Sequence, residues 1–159
     1  MSTTINHLEI TSISVKDIIT VMNNQPAKHL AEVPFGNFNL NMDLMEDVYQ
    51  SAQDAGYCRC YAAYVDDKYA GNMIIMATEM IHHRDQMQAV TDSFYISPEY
   101  RSSGIFSALI AYIEADLKAN GIRFLTIGLN PNMPDFEAMK NYIEHKQYQH
   151  TEYSVTKEL

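Results

Sequence analysis

The strongest chemical signal in the sequence is a run of small and polar residues, Arg101 to Gly104, between a strand and a helix. The β-formers of 90–97 precede it, and Pro98 ends that strand because proline has no amide hydrogen for a sheet ladder. A strand-to-helix turn leaves the first backbone N–H groups of the helix without intrahelical partners, beside the positive end of the helix dipole. The run therefore predicts a site for a phosphate or pyrophosphate, which small residues allow to approach the backbone.

Two carboxylates within apolar strand patterns are candidates for proton transfer. Asp92 lies on the strand before the turn, and strict alternation places it on the same face as Phe94 and Ile96. Glu79 lies on the long neighbouring strand, where an acidic residue interrupts an apolar run. For each, the alternative interpretation is a strand-end carboxylate that is hydrogen-bonded to backbone or water.

The cysteines and histidines do not have the spacing of a metal site. Cys58 and Cys60 share one face of a strand, and without a second cysteine pair we interpret them as reduced packing residues. The adjacent His82 and His83 point apart on a strand or turn. We therefore expect no metal.

Composition and charge restrict the class of protein. The chain has 159 residues, of which 47% are hydrophobic and 19% charged, so we expect one globular domain over residues 1–159. The net charge of −9 disfavours nucleic acid and suits a cationic substrate. No apolar run approaches the ~20 residues of a membrane span, and the N-terminus has no signal pattern. We therefore expect no membrane association and a cytoplasmic location.

The elements that must position the turn alternate between strands and helices. The predicted strands are 7–14, 59–65, 69–80, 90–97, 122–129 and 149–157, and the predicted helices are 17–22, 40–55, 105–120 and 136–145. Residues 23–39 are predicted to form an irregular connection. The order β-α-α-β-β-β-α-β-α-β predicts an α/β fold, with a mixed sheet and helices on both faces.

This order, combined with Pro98-Glu99-Tyr100-Arg101-x-x-Gly104, resembles the GNAT N-acetyltransferase superfamily over most of the chain. A second match, Asp135-x-x-Ala138-x-x-x-Tyr142, is similar to the Asn-x-x-Ala-x-x-x-Tyr of that family in the helix after the fifth strand. Asp135 replaces the usual asparagine. Phe106 replaces a usually small residue, so its ring must point away from the pyrophosphate or narrow the pocket.

The resemblance implies a mostly antiparallel mixed sheet, acetyl-CoA as co-substrate and direct attack by a primary amine in a ternary complex. It implies that the backbone of Phe94, Tyr95 and Ile96 binds the pantetheine arm, in a splay against residues 127–129. The resemblance also implies that Asp135, at the start of the following helix, contributes to the cofactor site. The residues that would hold the pyrophosphate are Arg101, Ser102, Ser103, Gly104, Ile105 and Phe106.

By the same resemblance, Tyr142 would protonate the departing thiolate. The reaction also needs a base that accepts the amine proton, and from their strand positions Asp92, or its rival Glu79, is the candidate. Polyamines, aminoglycosides, lysine side chains and protein N-termini all remain open as acceptors, since an acidic protein attracts each of them. The alternative interpretation is a GNAT-like binding or structural module without catalysis. By fold analogy, the C-terminal stretch with Tyr148 and Tyr153 is a candidate surface for a homodimer.

Overall fold

The computed structural model describes residues 7–24, 44–152 and 154–157. These residues form two compact units, one of 7–24 with 44–128 and the other of residues 129 onward. The single-domain boundary over 1–159 stays a prediction. None of the described helices has both the length and the apolar character needed to cross a bilayer.

A mixed five-stranded sheet with the order β1-β2-β3-β4-β5 forms the first unit. Its first four strands are antiparallel to their neighbours, whereas β5 pairs parallel to β4. The strands are β1 Leu8–Ile13, β2 Cys58–Val65, β3 Lys68–Glu79, β4 Met87–Ile96 and β5 Phe124–Thr126. The predicted α/β class and mixed, mostly antiparallel sheet are confirmed.

Within the described residues, four α-helices accompany the sheet, and the order of the described elements agrees with the first nine predicted elements. Ser14 caps the first helix through its hydroxyl, which accepts from the Asp17 N–H at 3.1 Å. The third helix carries the predicted apolar face, with Ile105, Leu109, Ile110, Ile113 and Leu117 buried. The helices are α1 Val15–Asn23, α2 Glu46–Asp54, α3 Ile105–Ala119 and α4 Phe136–His145.

Helices cover both faces of the sheet in the first unit. On one face, Tyr61 of β2 donates a hydrogen bond to Asp116 of α3 at 2.6 Å. The alternation of β2 places Cys58 and Cys60 on the opposite face. There, α2 packs against β2 and beside α1. The two thiols are buried and reduced, with their sulfur atoms 3.9 Å apart, as the sequence predicted.

Gly71 on β3 allows that strand to approach β4 closely at Tyr95 and Ile96, two of the residues predicted to bind the pantetheine arm. A Cβ atom on Gly71 would lie 2.5 Å from the Tyr95 carbonyl oxygen and 2.8 Å from the Ile96 side chain. Any larger residue must therefore push the two strands apart.

Three predicted elements differ from the observed ones. Helix α2 does not include residues 44 and 45 of the predicted 40–55, because the backbone of Met45 (ψ 78°) is not helical, and residues 40–43 lie outside the described residues. Strand β5 covers three residues of the predicted 122–129, since its pairing with β4 stops at Thr126. The predicted final strand is absent from the described part of 149–157. The connection predicted over 23–39 lies, from residue 25 onward, outside the described residues.

Candidate active site

The predicted phosphate loop joins the end of β4 to the start of α3. Pro98–Tyr100 forms one 3-10 turn, in which the Tyr100 N–H donates to the Ser97 carbonyl at 2.9 Å. Tyr100 is buried and anchors the turn to the unit. The chain then reverses over 101–104 and begins α3 at Ile105. The strand, turn and helix predicted around this loop are thus all present.

Two left-handed residues shape the loop. Ser102 has a φ of 61° and Gly104, which is the N-cap of α3, has a φ of 86°. Arg101 before them is extended (φ −65°, ψ 150°), and the two left-handed residues turn the chain into the N-terminus of α3, where backbone N–H groups and the helix dipole suit an anion. A Cβ atom on Gly104 would meet only the Ser107 hydroxyl, at 3.8 Å. The glycine is therefore required by its backbone conformation.

Arg101 fastens the loop to the end of β4. Its Nε and Nη2 atoms each donate to the Ile96 carbonyl at 3.2 Å. Its backbone N–H donates to the Pro98 carbonyl, and that of Ser103 to the Tyr100 carbonyl, both at 3.3 Å. Two of the six amides predicted to hold the pyrophosphate are therefore engaged within the turn. In the described part of the chain, the amides of Ser102, Gly104 and Ile105 donate no backbone hydrogen bond.

The Phe106 ring packs against the sheet. It lies beside the ring of Phe94 on β4, with the two centroids 5.6 Å apart and the planes inclined at 47°. Phe94 is buried, while Phe106 is half-buried. The contact directs the Phe106 ring toward β4 and joins the first turn of α3 to the predicted pantetheine strand.

Strands β4 and β5 separate where the splay was predicted. Their parallel pairing ends at Val90 and Thr126, and the next link is made by a side chain: the Gly128 N–H donates to the Thr91 hydroxyl at 2.8 Å. From there to Ile96, the paired residues of β4 have partners only on β3 in the described chain. Among the described residues, the ladder between β4 and β5 therefore ends before 94–96, the residues that the resemblance assigns to the pantetheine arm.

Asp92 does not lie on the predicted face. Ser93 pairs with Ile74 and Thr91 with Ile75, so Asp92 is the extra residue of a β-bulge. A bulge interrupts strict alternation and aims the side chain in a new direction. Asp92 is also exposed, although the expected face of β4 carries the buried Phe94.

The Asp92 side chain points to α2, where it meets a residue that the sequence did not single out. The Tyr49 hydroxyl donates to Oδ2 of Asp92 at 2.6 Å. Burial, with this hydrogen bond as the second cause, raises the pKa of Tyr49 above its ordinary value. A tyrosine one turn into an amphipathic helix gives no signal of such a partner.

The thiol pair lies near Tyr49 and Asp92. Electrostatic interactions link Tyr49 to both cysteines, and Asp92 also acts on each thiol. The hydrogen bond between the sulfurs lowers the pKa of Cys58 and raises that of Cys60. The described residues contain no group of three or more His, Cys, Asp or Glu side chains that could hold a metal ion.

Glu79 lies away from the bulge. It is exposed at the end of β3, opposite Met87, and four residues beyond Ile75. At the rise of a β-strand, four residues correspond to about 13 Å. The structure therefore does not bring Glu79 and Asp92 together.

The second unit contains the other two predicted site residues. Asp135 is the N-cap residue of α4, with a φ of 61°, and its side chain accepts no capping hydrogen bond from the described amides of that helix. Tyr142 is half-buried on the same helix. The Lys146 ammonium lies 5.8 Å from its ring centroid, over the aromatic face.

A sequence model of the acetyltransferase (GNAT) family matches residues 25–142. The chain belongs to this family. The match includes the phosphate loop, Asp92 and Tyr142. No curated protein sequence matches the chain.

Solved structures of GNAT acetyltransferases share the fold at low identity. An aminoglycoside acetyltransferase from an uncultured soil metagenomic sample, in complex with sisomicin, has a TM-score of 0.71 and 14% identity, with 97% of each chain covered. Ribosomal-protein-alanine N-acetyltransferase from Brucella melitensis biovar Abortus 2308 has the same score and identity over 97% of this chain and 100% of its own. A predicted acetyltransferase from Clostridium acetobutylicum with acetyl-CoA has a TM-score of 0.71 and 11% identity over 96% of each.

Proposed function

We propose that this GNAT protein transfers the acetyl group of acetyl-CoA to a primary amine, by direct attack in a ternary complex. The observation that carries the proposal is the loop between β4 and α3. Its left-handed Ser102 and Gly104 present backbone N–H groups at a helix N-terminus, beside a strand edge that has lost its β5 partner. Acetyl-CoA has a pyrophosphate for the first feature and an extended amide-bearing arm for the second.

The proposed catalytic roles belong to three side chains. Asp92 is the base that accepts the amine proton, because its carboxylate is exposed beside the β4 edge. Glu79 is the rival base. It lies four residues along β3 from Ile75, which pairs beside the Asp92 bulge, and this separation favours Asp92. The family pattern assigns proton donation to the thiolate to Tyr142. A backbone N–H of β4 is the proposed donor to the oxyanion of the tetrahedral intermediate.

One observation favours a second candidate function, a binding module without catalysis. The amides of Arg101 and Ser103 and the guanidinium of Arg101 are already engaged within the turn. A loop closed on itself in this way would hold a pyrophosphate weakly. Binding of acetyl-CoA distinguishes the two functions.

The test is calorimetric titration of acetyl-CoA into the natural protein, Gly104→Val and Gly121→Val. Gly121 is the matched control: its φ is +77°, with no atom within 4 Å of an added Cβ, and it follows the opposite end of α3. Valine at either position strains a left-handed backbone by about 1–2 kcal/mol. Only Gly104→Val should also obstruct the loop.

We expect the natural protein and Gly121→Val to bind equally, and Gly104→Val to bind at least tenfold more weakly. Loss of one hydrogen bond to a charged group is worth about 1.5–3 kcal/mol, and about 1.4 kcal/mol is tenfold in affinity. Equal losses in both variants would contradict the assigned site. Absence of binding by the natural protein would favour the module.

A further inference from the structure

We propose that Tyr49 is a positioning residue for Asp92, whose hydroxyl fixes one carboxylate oxygen so that the other is presented to the acceptor amine. This inference rests on the proposed acetyl transfer and adds to it a residue from α2. It makes the hydrogen bond between α2 and the β4 bulge part of the catalytic arrangement.

The geometry gives the two carboxylate oxygens of Asp92 different environments. Oδ2 accepts the hydrogen bond from Tyr49 at 2.6 Å, a distance typical of a hydroxyl that donates to a carboxylate. Among the described residues, nothing donates to Oδ1. Asp92 is exposed while Tyr49 is half-buried, so the anchored oxygen is held by the fold and the other remains accessible.

The bulge explains why such an anchor is needed. An extra residue in a β-ladder has no cross-strand partner, so neighbouring side chains do not fix its direction. Asp92 is also two residues beyond Val90, the last β4 residue to pair with β5. It therefore lies where the β4 edge becomes available, just before the predicted pantetheine strand of 94–96. Tyr49 holds the carboxylate at this opening.

The proposed step balances without a proton on Tyr49 moving. The neutral amine attacks the thioester carbon, and its nitrogen becomes positively charged as the N–C bond forms. Oδ1 of Asp92 accepts one proton from that nitrogen, and the carboxylate becomes a carboxylic acid. The C–S bond breaks with its electron pair on sulfur, and the thiolate is protonated by water or by Tyr142, which then regains a proton from solvent. Asp92 then returns its proton to solvent.

The surroundings of the hydrogen bond between Tyr49 and Asp92 keep the Tyr49 hydroxyl protonated, so that it acts only as a hydrogen-bond donor. The hydroxyl faces Asp92 of β4 and the thiols of Cys58 and Cys60 on β2. Burial raises the pKa of Tyr49, and the groups around it act in the same direction. The phenol therefore stays protonated at the pH at which amines are acetylated, and it continues to donate.

The experiment compares Tyr49→Phe with Tyr61→Phe. Tyr61 is a close match because its hydroxyl also donates to an aspartate, Asp116, at 2.6 Å, but on the face of the sheet that α3 covers. Acetyl transfer from acetyl-CoA is measured by product mass with three probe amines: sisomicin, spermidine and a peptide that has an N-terminal alanine and an internal lysine. The same assays are made on Asp92→Asn and on Tyr49→Phe combined with Asp92→Asn.

We expect Tyr49→Phe to lower kcat about tenfold with the KM for acetyl-CoA unchanged, because a misplaced catalytic group loses rate but not cofactor binding. Tyr61→Phe should keep the natural kcat. Asp92→Asn should lose about 100-fold or more, and adding Tyr49→Phe should lower kcat no further.

Three outcomes would overturn the inference in distinguishable ways. A natural kcat in Tyr49→Phe would remove the positioning role and leave the transferase function intact. A loss that multiplies with that of Asp92→Asn would make Tyr49 independent of Asp92. Absence of transfer by the natural protein to all three amines would contradict the transferase function, and the positioning role with it.

Discussion

Phe106 departs from the family pattern, and its ring packs against the sheet. A small residue is usual at this position, yet the Phe106 ring contacts Phe94 with centroids 5.6 Å apart. The aromatic contact adds stability between α3 and β4. The bulk that the sequence places at the phosphate loop is therefore used in packing against the sheet.

Phe106→Ala should destabilise the protein by about 2 kcal/mol, below the range for a fully buried phenylalanine because this ring is half-buried. The affinity for acetyl-CoA should change less than threefold, since the loop amides belong to the backbone. Urea unfolding and calorimetry measure the two effects. A large gain in affinity would show that the ring narrows the pocket, the other alternative that the sequence left open.

At the level of residues, the sequence predicted the strand, turn and helix around the loop but not the direction of the Asp92 side chain. Gly104 stood out as a small residue in the Arg101-x-x-Gly104 pattern, and its left-handed backbone at the start of α3 favours glycine. Asp92 was identified as a candidate, but its face was wrong because an alternation pattern contains no sign of a bulge. Tyr49 was missed because its partner is 43 residues away in the chain.

At the level of elements, the end of β5 determines the splay. A hydroxyl of Thr91 replaces the backbone acceptor that the Gly128 N–H would find in a continuing ladder. The parallel pair therefore ends without leaving that amide unsatisfied. A side chain, and not the backbone alone, sets where β4 and β5 part.

Thr91→Val should cost about 0.5–1 kcal/mol, because the exposed Gly128 N–H exchanges its protein acceptor for water. Thr78→Val is the control on the adjacent strand, where the side chain is exposed, and it should change stability by less than about 0.5 kcal/mol. Hydrogen exchange at the Gly128 amide should accelerate only in Thr91→Val. Unchanged exchange there would show that the hydroxyl does not hold the end of β5.

Most elements were predictable because their apolar patterns are regular. The apolar residues of α3 recur at helical spacing, and β2, β3 and β4 contain runs of apolar residues that are typical of buried strands. Strand β5 was predicted too long because the apolar run of 122–129 does not show how many residues find a partner. The pattern of 149–157 is compatible with a strand, yet no described residue there pairs. Pairing depends on the neighbouring strand, which a local pattern does not contain.

At the level of the whole molecule, three protonated tyrosines link stability to pH. Burial is the largest cause that raises the pKa of Tyr49, Tyr61 and Tyr69 above the ordinary 10.0. A group with a raised pKa in the folded state contributes fully below its unfolded pKa. The contribution is lost as the pH rises through the folded value, because the unfolded state releases its proton first.

Stability should therefore be constant up to about pH 9 and fall above about pH 10. Urea midpoints at pH 8, 10 and 11 measure the fall. Tyr61→Phe removes one of the groups, so its loss of stability should be shallower, by up to about 1.4 kcal/mol per pH unit. If stability falls equally with pH in the natural protein and in Tyr61→Phe, the pKa of Tyr61 is the same in the folded and unfolded states.

Because Cys58 and Cys60 are buried, the folded protein should not react with the reagents used in thiol assays. Their exposed fractions are 3% and 0%, and the chain has no other cysteine. A thiol reagent that follows released coenzyme A therefore counts only that product while the fold is intact. If α2 lifts from β2, two further equivalents per chain should react. The rate of this background reaction, recorded before acetyl-CoA is added, therefore reports how often the structure opens beneath α2, the helix that carries Tyr49.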